Sequence, residues 1–189
     1  DGHARIAAAH GLCIFLKNLG GQTVAVQIRR DDAEDYTSRY YSLSSTKYGG
    51  PSPGAPASFW TPVGVPSVPG AVRICEGAFK ALVAAERTGV AGIAAGAGVG
   101  SMASGQIEEM LREMRPSKVY FAPDQDVHIQ PEVARRVNVC LGRMLWMRQE
   151  QGFELFVETW GDHLAPELRP KGIDDALAAG MTINTVDPE

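Results

Sequence analysis

The chain has 189 residues, 44% of them hydrophobic and 21% charged, with a formal net charge of −4. This is enough apolar material for one sizeable domain or two small ones, and the acidic balance excludes tight, sequence-blind duplex binding through phosphate contacts alone. No stretch approaches the roughly 20 uninterrupted apolar residues of a membrane span, and no charged-then-apolar leader with a cleavage site is seen, so a soluble, cytoplasmic protein without membrane contact is expected. Asp1 in place of methionine, and an end at Asp187-Pro188-Glu189, point to a piece of a longer polypeptide. Cys13, Cys75 and Cys140 lie far apart with no zinc-type spacing and read as reduced core thiols of an intracellular protein.

In chain order, Leu12–Leu16 and Thr23–Ile28 are short apolar runs with alternation, separated by Asn18-Leu19-Gly20-Gly21. They predict strands joined by a glycine turn, within a small β-rich basic subdomain over residues 1–48. Residues 49–70 are dense in proline and glycine, which predicts a linker without regular structure, pinned to a neighbour by Phe59 and Trp60. Residues 71–189 then alternate strand and helix. Val72–Cys75 predicts a strand, Ala78–Thr88 a helix ending at Gly89, and Val90–Ala95 a second strand ended by Gly96-Ala97-Gly98-Val99-Gly100. Ser104 is placed to cap a helix whose Ile107, Met110, Leu111 and Met114 share a face and which Pro116 stops. Lys118–Ala122 predicts a third strand, Pro131–Glu150 the longest helix, Phe153–Thr159 a fourth strand and Asp174–Ala179 a short last helix. This alternation predicts an α/β domain with a mostly parallel four-stranded sheet covered by helices on both faces.

In such sheets ligands bind outside the carboxyl ends of the strands. Glu76, Gly96, Asp124 and Asp126 fall at those ends. In an extended loop, residues two apart point the same way, so Asp124 and Asp126 are expected to reach one ion together, and their mutual repulsion calls for a cation. Oxygen-only ligands suit Mg²⁺ or Mn²⁺. Of Asp174 and Asp175, one is expected to cap the last helix and the other to join the acidic cluster. The glycine-rich turn at 96–100 has neither the dinucleotide nor the Walker A spacing, and His3, His10, His128 and His163 show no ligand spacing. Arg29-Arg30, Arg135-Arg136 and Arg112 with Arg115 are local basic clusters that could face a polyanion, most of them reading as solvated helix faces.

Glu-Gly after the first strand, a glycine-ended second strand, Asp-x-Asp after the third and a late Asp-rich segment together resemble the TOPRIM domain shared by DnaG-type primases, topoisomerases and several repair proteins. The likeness is greatest to primases, whose preceding basic subdomain carries an Arg at a strand end and a Lys-Tyr pair; Gln27-Ile28-Arg29 and Lys47-Tyr48 stand in the matching places. Glu76-Gly77-Ala78-Phe79-Lys80-Ala81 and Lys171-Gly172-Ile173-Asp174-Asp175 are similar to strings recurring in TOPRIM-like domains of large primase-helicase replication proteins of plasmids, phages and integrative elements. Two positions depart from the primase pattern. Lys80 stands where an acidic residue is usual, placed to pair with Glu76 or contact a phosphate, and Val127-His128 replaces an Ala-Gly.

The resemblance implies metal-dependent nucleotidyl transfer that makes a primer on single-stranded DNA from nucleoside triphosphates, alongside a helicase domain in the same polypeptide or complex. Asp124 and Asp126 would hold Mg²⁺ (or Mn²⁺), joined by Asp174 and Asp175. Glu76 would be a further ligand or the general acid/base. Arg29, Lys47, Lys80 and Lys171 would bind nucleotide or template phosphates. A TOPRIM nuclease using the same carboxylates, and a catalytically degenerate module that binds nucleic acid or neighbouring domains, are the alternatives.

Overall fold

The computed structural model describes residues 10–31, 39–43, 46, 54, 56–96 and 98–188. These form a mixed α/β structure with a three-stranded antiparallel sheet and a six-stranded mixed sheet. The small sheet consists of β1 (Gly11–Lys17), β2 (Thr23–Arg30) and β3 (Tyr40–Ser42), in that spatial order. The turn at Asn18–Gly21 joins the first two as expected, with the Asn18 side chain accepting from the Gln22 backbone N–H at 3.0 Å. Lys47 and Tyr48 lie outside the described residues.

The large sheet is wider than the expected four strands. Its parallel centre contains β5 (Ala71–Cys75), β6 (Ala91–Ala94), β7 (Lys118–Ala122) and β8 (Glu154–Trp160). Two antiparallel edge strands flank it, β4 (Ser58–Trp60) beside β6 and β9 (Ile183–Val186) beside β8. β4 corrects the expectation that residues 49–70 hold no regular structure. Its three residues fit between Pro56 and Pro62, and proline is compatible with the flanks of an edge strand. Phe59 and Trp60 thus attach this stretch through backbone pairing with Ile93 and Gly92. Further ties come from the Ala57 N–H, which donates to Gln106 Oε1 at 2.8 Å, and from Glu86, which accepts the Val63 and Gly64 N–H groups. β9 is mostly exposed and gave no alternation to read; the Asp162 carboxylate holds it by accepting from Asn184 Nδ2 and Thr159 Oγ1, each at 2.8 Å.

Helices cover both faces of the large sheet. Val72, Ile74, Val119, Phe121 and Leu155 point to the side packed by α2 (Gly105–Met114) and α3 (Pro131–Gln151), where Ile107, Leu111, Met144 and Met147 are buried. Ser104 caps α2, its hydroxyl accepting from the Ile107 N–H at 3.5 Å. On the other face lie α1 (Ala78–Thr88) and α4 (Ile173–Ala178), with Cys75, Ala94, Ala122 and Trp160 beneath them. α1 buries Ala78, Ala81, Ala84 and Ala85, and this methyl-only face lets it lie close to β6. Gly92 completes that fit, since a Cβ there would stand 2.8 Å from the Ala81 carbonyl oxygen. Ile14, Leu16 and Ala25 of the small sheet join the same buried cluster, which seats that sheet beside α1. Among the described residues no helix is long and apolar enough to cross a membrane. All three cysteines are free; Cys75 and Cys140 are buried, and burial pushes the Cys75 thiol up to about 12, whereas Cys13 is exposed rather than part of a core.

One buried charge pair interrupts the apolar strands. Arg73 of β5 reaches across β7 to Glu158 of β8, with Nε–Oε2 at 2.6 Å and Nη2–Oε1 at 2.8 Å, and its Nη1 donates to Thr88 Oγ1 at 2.8 Å. Both side chains are at most 5% exposed. Removing one partner strands the other charge in the interior, so Glu158→Ala is expected to lower stability by about 3–5 kcal/mol in urea unfolding, whereas Arg73→Met with Glu158→Leu is expected to stay near wild type. Equal losses in the two variants would contradict this account.

Candidate active site

The site is set by strand register. Cys75 of β5 pairs with Ala122 of β7, so Glu76 and Asp124 leave the sheet side by side at its carboxyl rim. The Asp124 backbone N–H donates to Glu76 Oε1 at 3.1 Å, joining two acidic motifs 48 positions apart. Burial, and next the Asp124 charge, hold the Glu76 carboxyl above its ordinary range. The Asp124 carboxylate is the most deeply buried of the acidic groups predicted for the site, its side chain 3% exposed.

Lysines compensate that burial. Lys80 lies in the first turn of α1, and helix side chains lean toward the N-terminus, which returns its ammonium to the rim of the sheet. Its Nζ meets both Asp124 oxygens at 2.5 Å. Burial acts to lower the Lys80 pKa, but the Asp124 carboxylate more than reverses this and leaves it raised. Asp124 is itself raised, its desolvation outweighing the pull of Lys80. Lys171 lies 2.7 Å from Asp126 Oδ2 and 3.8 Å from Asp124 Oδ2, and so stands between the two carboxylates.

The expected side-by-side Asp-x-Asp geometry is not what forms. Asp124 has extended backbone, but Asp126 sits inside a 3₁₀ turn over Gln125–His128, where residues two apart no longer face the same way. Asp126 therefore turns toward a neighbouring hollow shared with Gln130 and Lys171. Its Oδ1 is buried without a hydrogen-bond partner. The expected cap on the last helix is also corrected. Gly172 is the N-cap of α4 and makes no side-chain cap bond, while Asp174 and Asp175 both lie in the first turn, where their charge complements the helix dipole. Asp174 is raised by burial and then by Asp175, and its Oδ1 is another buried oxygen without a partner.

Glu76, Asp124, Asp174 and Asp175 line one cleft of about 380 Å³ together with Arg29, Arg39, Lys80 and Lys171. Arg29 reaches it from β2, its guanidinium 4.7 Å above the Phe79 ring centroid. Gly96 and Gly98 form part of the wall, as expected of a tight turn near the site. Among the described residues no group of three or more His, Cys, Asp or Glu side chains closes into a ready metal cluster. His128 bonds Gln125 Oε1 at 3.2 Å, outside the cleft. The Arg135, Arg136, Arg112 and Arg143 guanidinium groups pair with Glu132 or Glu108 on exposed helix faces.

Sequence reasoning missed Gln27, Arg39 and Tyr40, which also line the cleft. Tyr40 and Arg39 belong to a three-residue strand and its approach, too short for periodicity to register. Gly172 was also missed. A Cβ there would come within 2.9 Å of Lys80 Cε and would collide with Asp174 Oδ1. The Gln125 N–H donates to the Lys171 carbonyl at 2.9 Å, tying this segment to the Asp124 turn.

Comparison with protein-family models, with curated proteins and with solved structures found no match.

The contact at Gly172 generates a test. Gly172→Ala is expected to cost about 1–3 kcal/mol, as overpacking of a filled site does, and the cost is expected to shrink in an Asp174→Ala background, which removes the nearest clash. Urea unfolding of the single and double variants measures both, and additive losses would show that Gly172 is not there to make room for the Asp174 carboxylate.

Proposed function

We propose that this chain carries a TOPRIM-type site for metal-dependent nucleotidyl transfer, of the kind that makes primers on single-stranded DNA within a larger replication protein of a mobile element. The observation that carries the reading is the 3.1 Å bond from the Asp124 N–H to Glu76, which places the Glu-Gly and Asp-x-Asp motifs at one strand rim. Arg29 and Arg39, brought to the acidic rim by the small sheet, support an anionic, phosphate-bearing substrate.

The donor set suits Mg²⁺ or Mn²⁺, because every candidate ligand is a carboxylate oxygen. The two buried oxygens without partners, Asp126 Oδ1 and Asp174 Oδ1, are consistent with a cation site as well. Asp124 would hold the metal, with Asp174 and Asp175 in the same cleft and Asp126 facing the adjoining hollow; Glu76 would be a further ligand or the general base. Bound there, the ion would supply charge neutralisation of a triphosphate. Arg29 and Arg39 would fork onto phosphate oxygens from the small sheet, and Lys171 would add a point charge. Glu76, with its affinity for a proton raised by burial, is suited to accept the proton of an attacking hydroxyl. Nucleoside triphosphates, single-stranded DNA and a helicase domain are the partners this reading carries with it.

A specific observation favours a second reading, a nucleic-acid-binding module without catalysis: Lys80 already satisfies both oxygens of Asp124. Incubation with single-stranded template, labelled ribo- and deoxynucleotides and Mg²⁺ or Mn²⁺ separates the readings. Short products that drop by about 10²-fold or more in Asp124→Ala and Glu76→Ala are expected. Shortened template would indicate a nuclease, and intact DNA binding without products the binding module.

A further inference from the structure

Lys80 covers the Asp124 carboxylate, with Lys171 at its edge, 3.8 Å from Oδ2. The Lys80 Nζ lies 2.5 Å from each carboxylate oxygen, and with the Asp124 side chain 3% exposed little of that carboxylate is open to another partner. Gly172 leaves the space beside it open: a Cβ there would collide with Asp174 Oδ1 and lie 2.9 Å from Lys80 Cε. The same space borders Asp174 Oδ1, a buried carboxylate oxygen without a hydrogen-bond partner. The Lys80 side chain is 23% exposed toward the cleft, so it has a way off Asp124 and a second carboxylate beside its path.

We propose that Lys80 is the built-in cation of the site, competing with a divalent metal for the Asp124 carboxylate, so that metal binds only as the ammonium moves away toward Asp174. This rests on the reading of Asp124 as a metal ligand. The physical reason is charge balance. A buried carboxylate needs one close cation, and two cations on the same pair of oxygens repel one another at short range. Lys171, 3.8 Å from Asp124 Oδ2 and 2.7 Å from Asp126 Oδ2, adds to that repulsion. In the absence of metal, Lys80 keeps the acidic cleft folded and neutralised. In its presence, the ammonium is released into the cleft, where it faces the substrate.

Titration with Mn²⁺ at pH 8, with free ion followed by electron paramagnetic resonance, tests this on the wild type, Lys80→Met and Lys80→Met with Asp124→Asn. The single variant is expected to bind Mn²⁺ at least about tenfold more tightly than wild type, within the usual span of coupling between linked ligands, and the double variant to lose that gain. Wild-type binding with no gain in Lys80→Met would overturn the competition while leaving the metal reading intact. Absence of binding in both would overturn the two together. Because loss of the ammonium can itself unfold the chain, a second measurement uses the wild type. Amine acetylation read by mass spectrometry is expected to label Lys80 several-fold faster with saturating Mn²⁺ than without it, roughly the release of a coupled ligand. Unchanged labelling, at Mn²⁺ concentrations whose binding Asp124→Asn abolishes, would likewise overturn the proposal.

Discussion

A carboxylate buried at the end of a parallel strand must be matched by a cation, and the arrangement around Asp124 follows from that requirement. The cost of desolvating an isolated carboxylate in the interior is several kcal/mol or more, so Asp124, with its side chain 3% exposed, fixes the positions of its neighbours. Lys80 comes down from the first turn of α1, Lys171 approaches from the segment before α4, and Gly172 keeps a side chain out of the space bordered by Lys80 Cε and Asp174 Oδ1. The Glu76 carboxylate, which would repel Asp124, instead accepts its backbone N–H. Three segments remote in the chain are thereby held by one charge balance.

The same logic operates deeper in the sheet, where Arg73 and Glu158 neutralise each other across β7. The two pairs differ in what surrounds them. The Arg73 pair is closed in by Thr88 and the Tyr120 ring, with both side chains at most 5% exposed, which makes it structural. The Lys80 pair opens onto a cleft that the small sheet completes with Arg29, Arg39 and Tyr40. That sheet is in place because Ile14, Leu16 and Ala25 share the buried cluster of α1 and α4. An apolar contact thus delivers cationic side chains to an acidic rim, and this combination is what supports phosphate chemistry as the proposed function.

Most of the central α/β layout was readable from local signals. Apolar runs bounded by glycine or proline marked β5, β6, β7 and β8, and a 3.6-residue period with Ser104 and Gly152 at helix ends marked α2 and α3. What escaped was short, exposed or non-local. β4 has three residues among prolines, and β9 has one half-buried and three exposed residues, so neither carries a pattern; each exists because an open sheet edge offers it hydrogen bonds. The 3₁₀ turn that separates Asp126 from Asp124 was missed because Asp-x-Asp is equally compatible with an extended loop. Arg73 and Glu158 stand 85 positions apart, so no local pattern pairs them.

By itself the sequence determined the alternation of strands and helices, and with it the placing of Glu76, Asp124 and the Lys171–Asp175 segment near strand or helix ends, because hydrophobic period and end signals act over a few residues. Only the tertiary structure decided which charges meet. The pairing of Lys80 with Asp124, the turning of Asp126 toward Lys171 and the arrival of Arg29, Arg39 and Tyr40 at the cleft depend on strand order, register and the packing of one sheet against a helix. Those are properties of contacts between distant segments, and no local pattern encodes them.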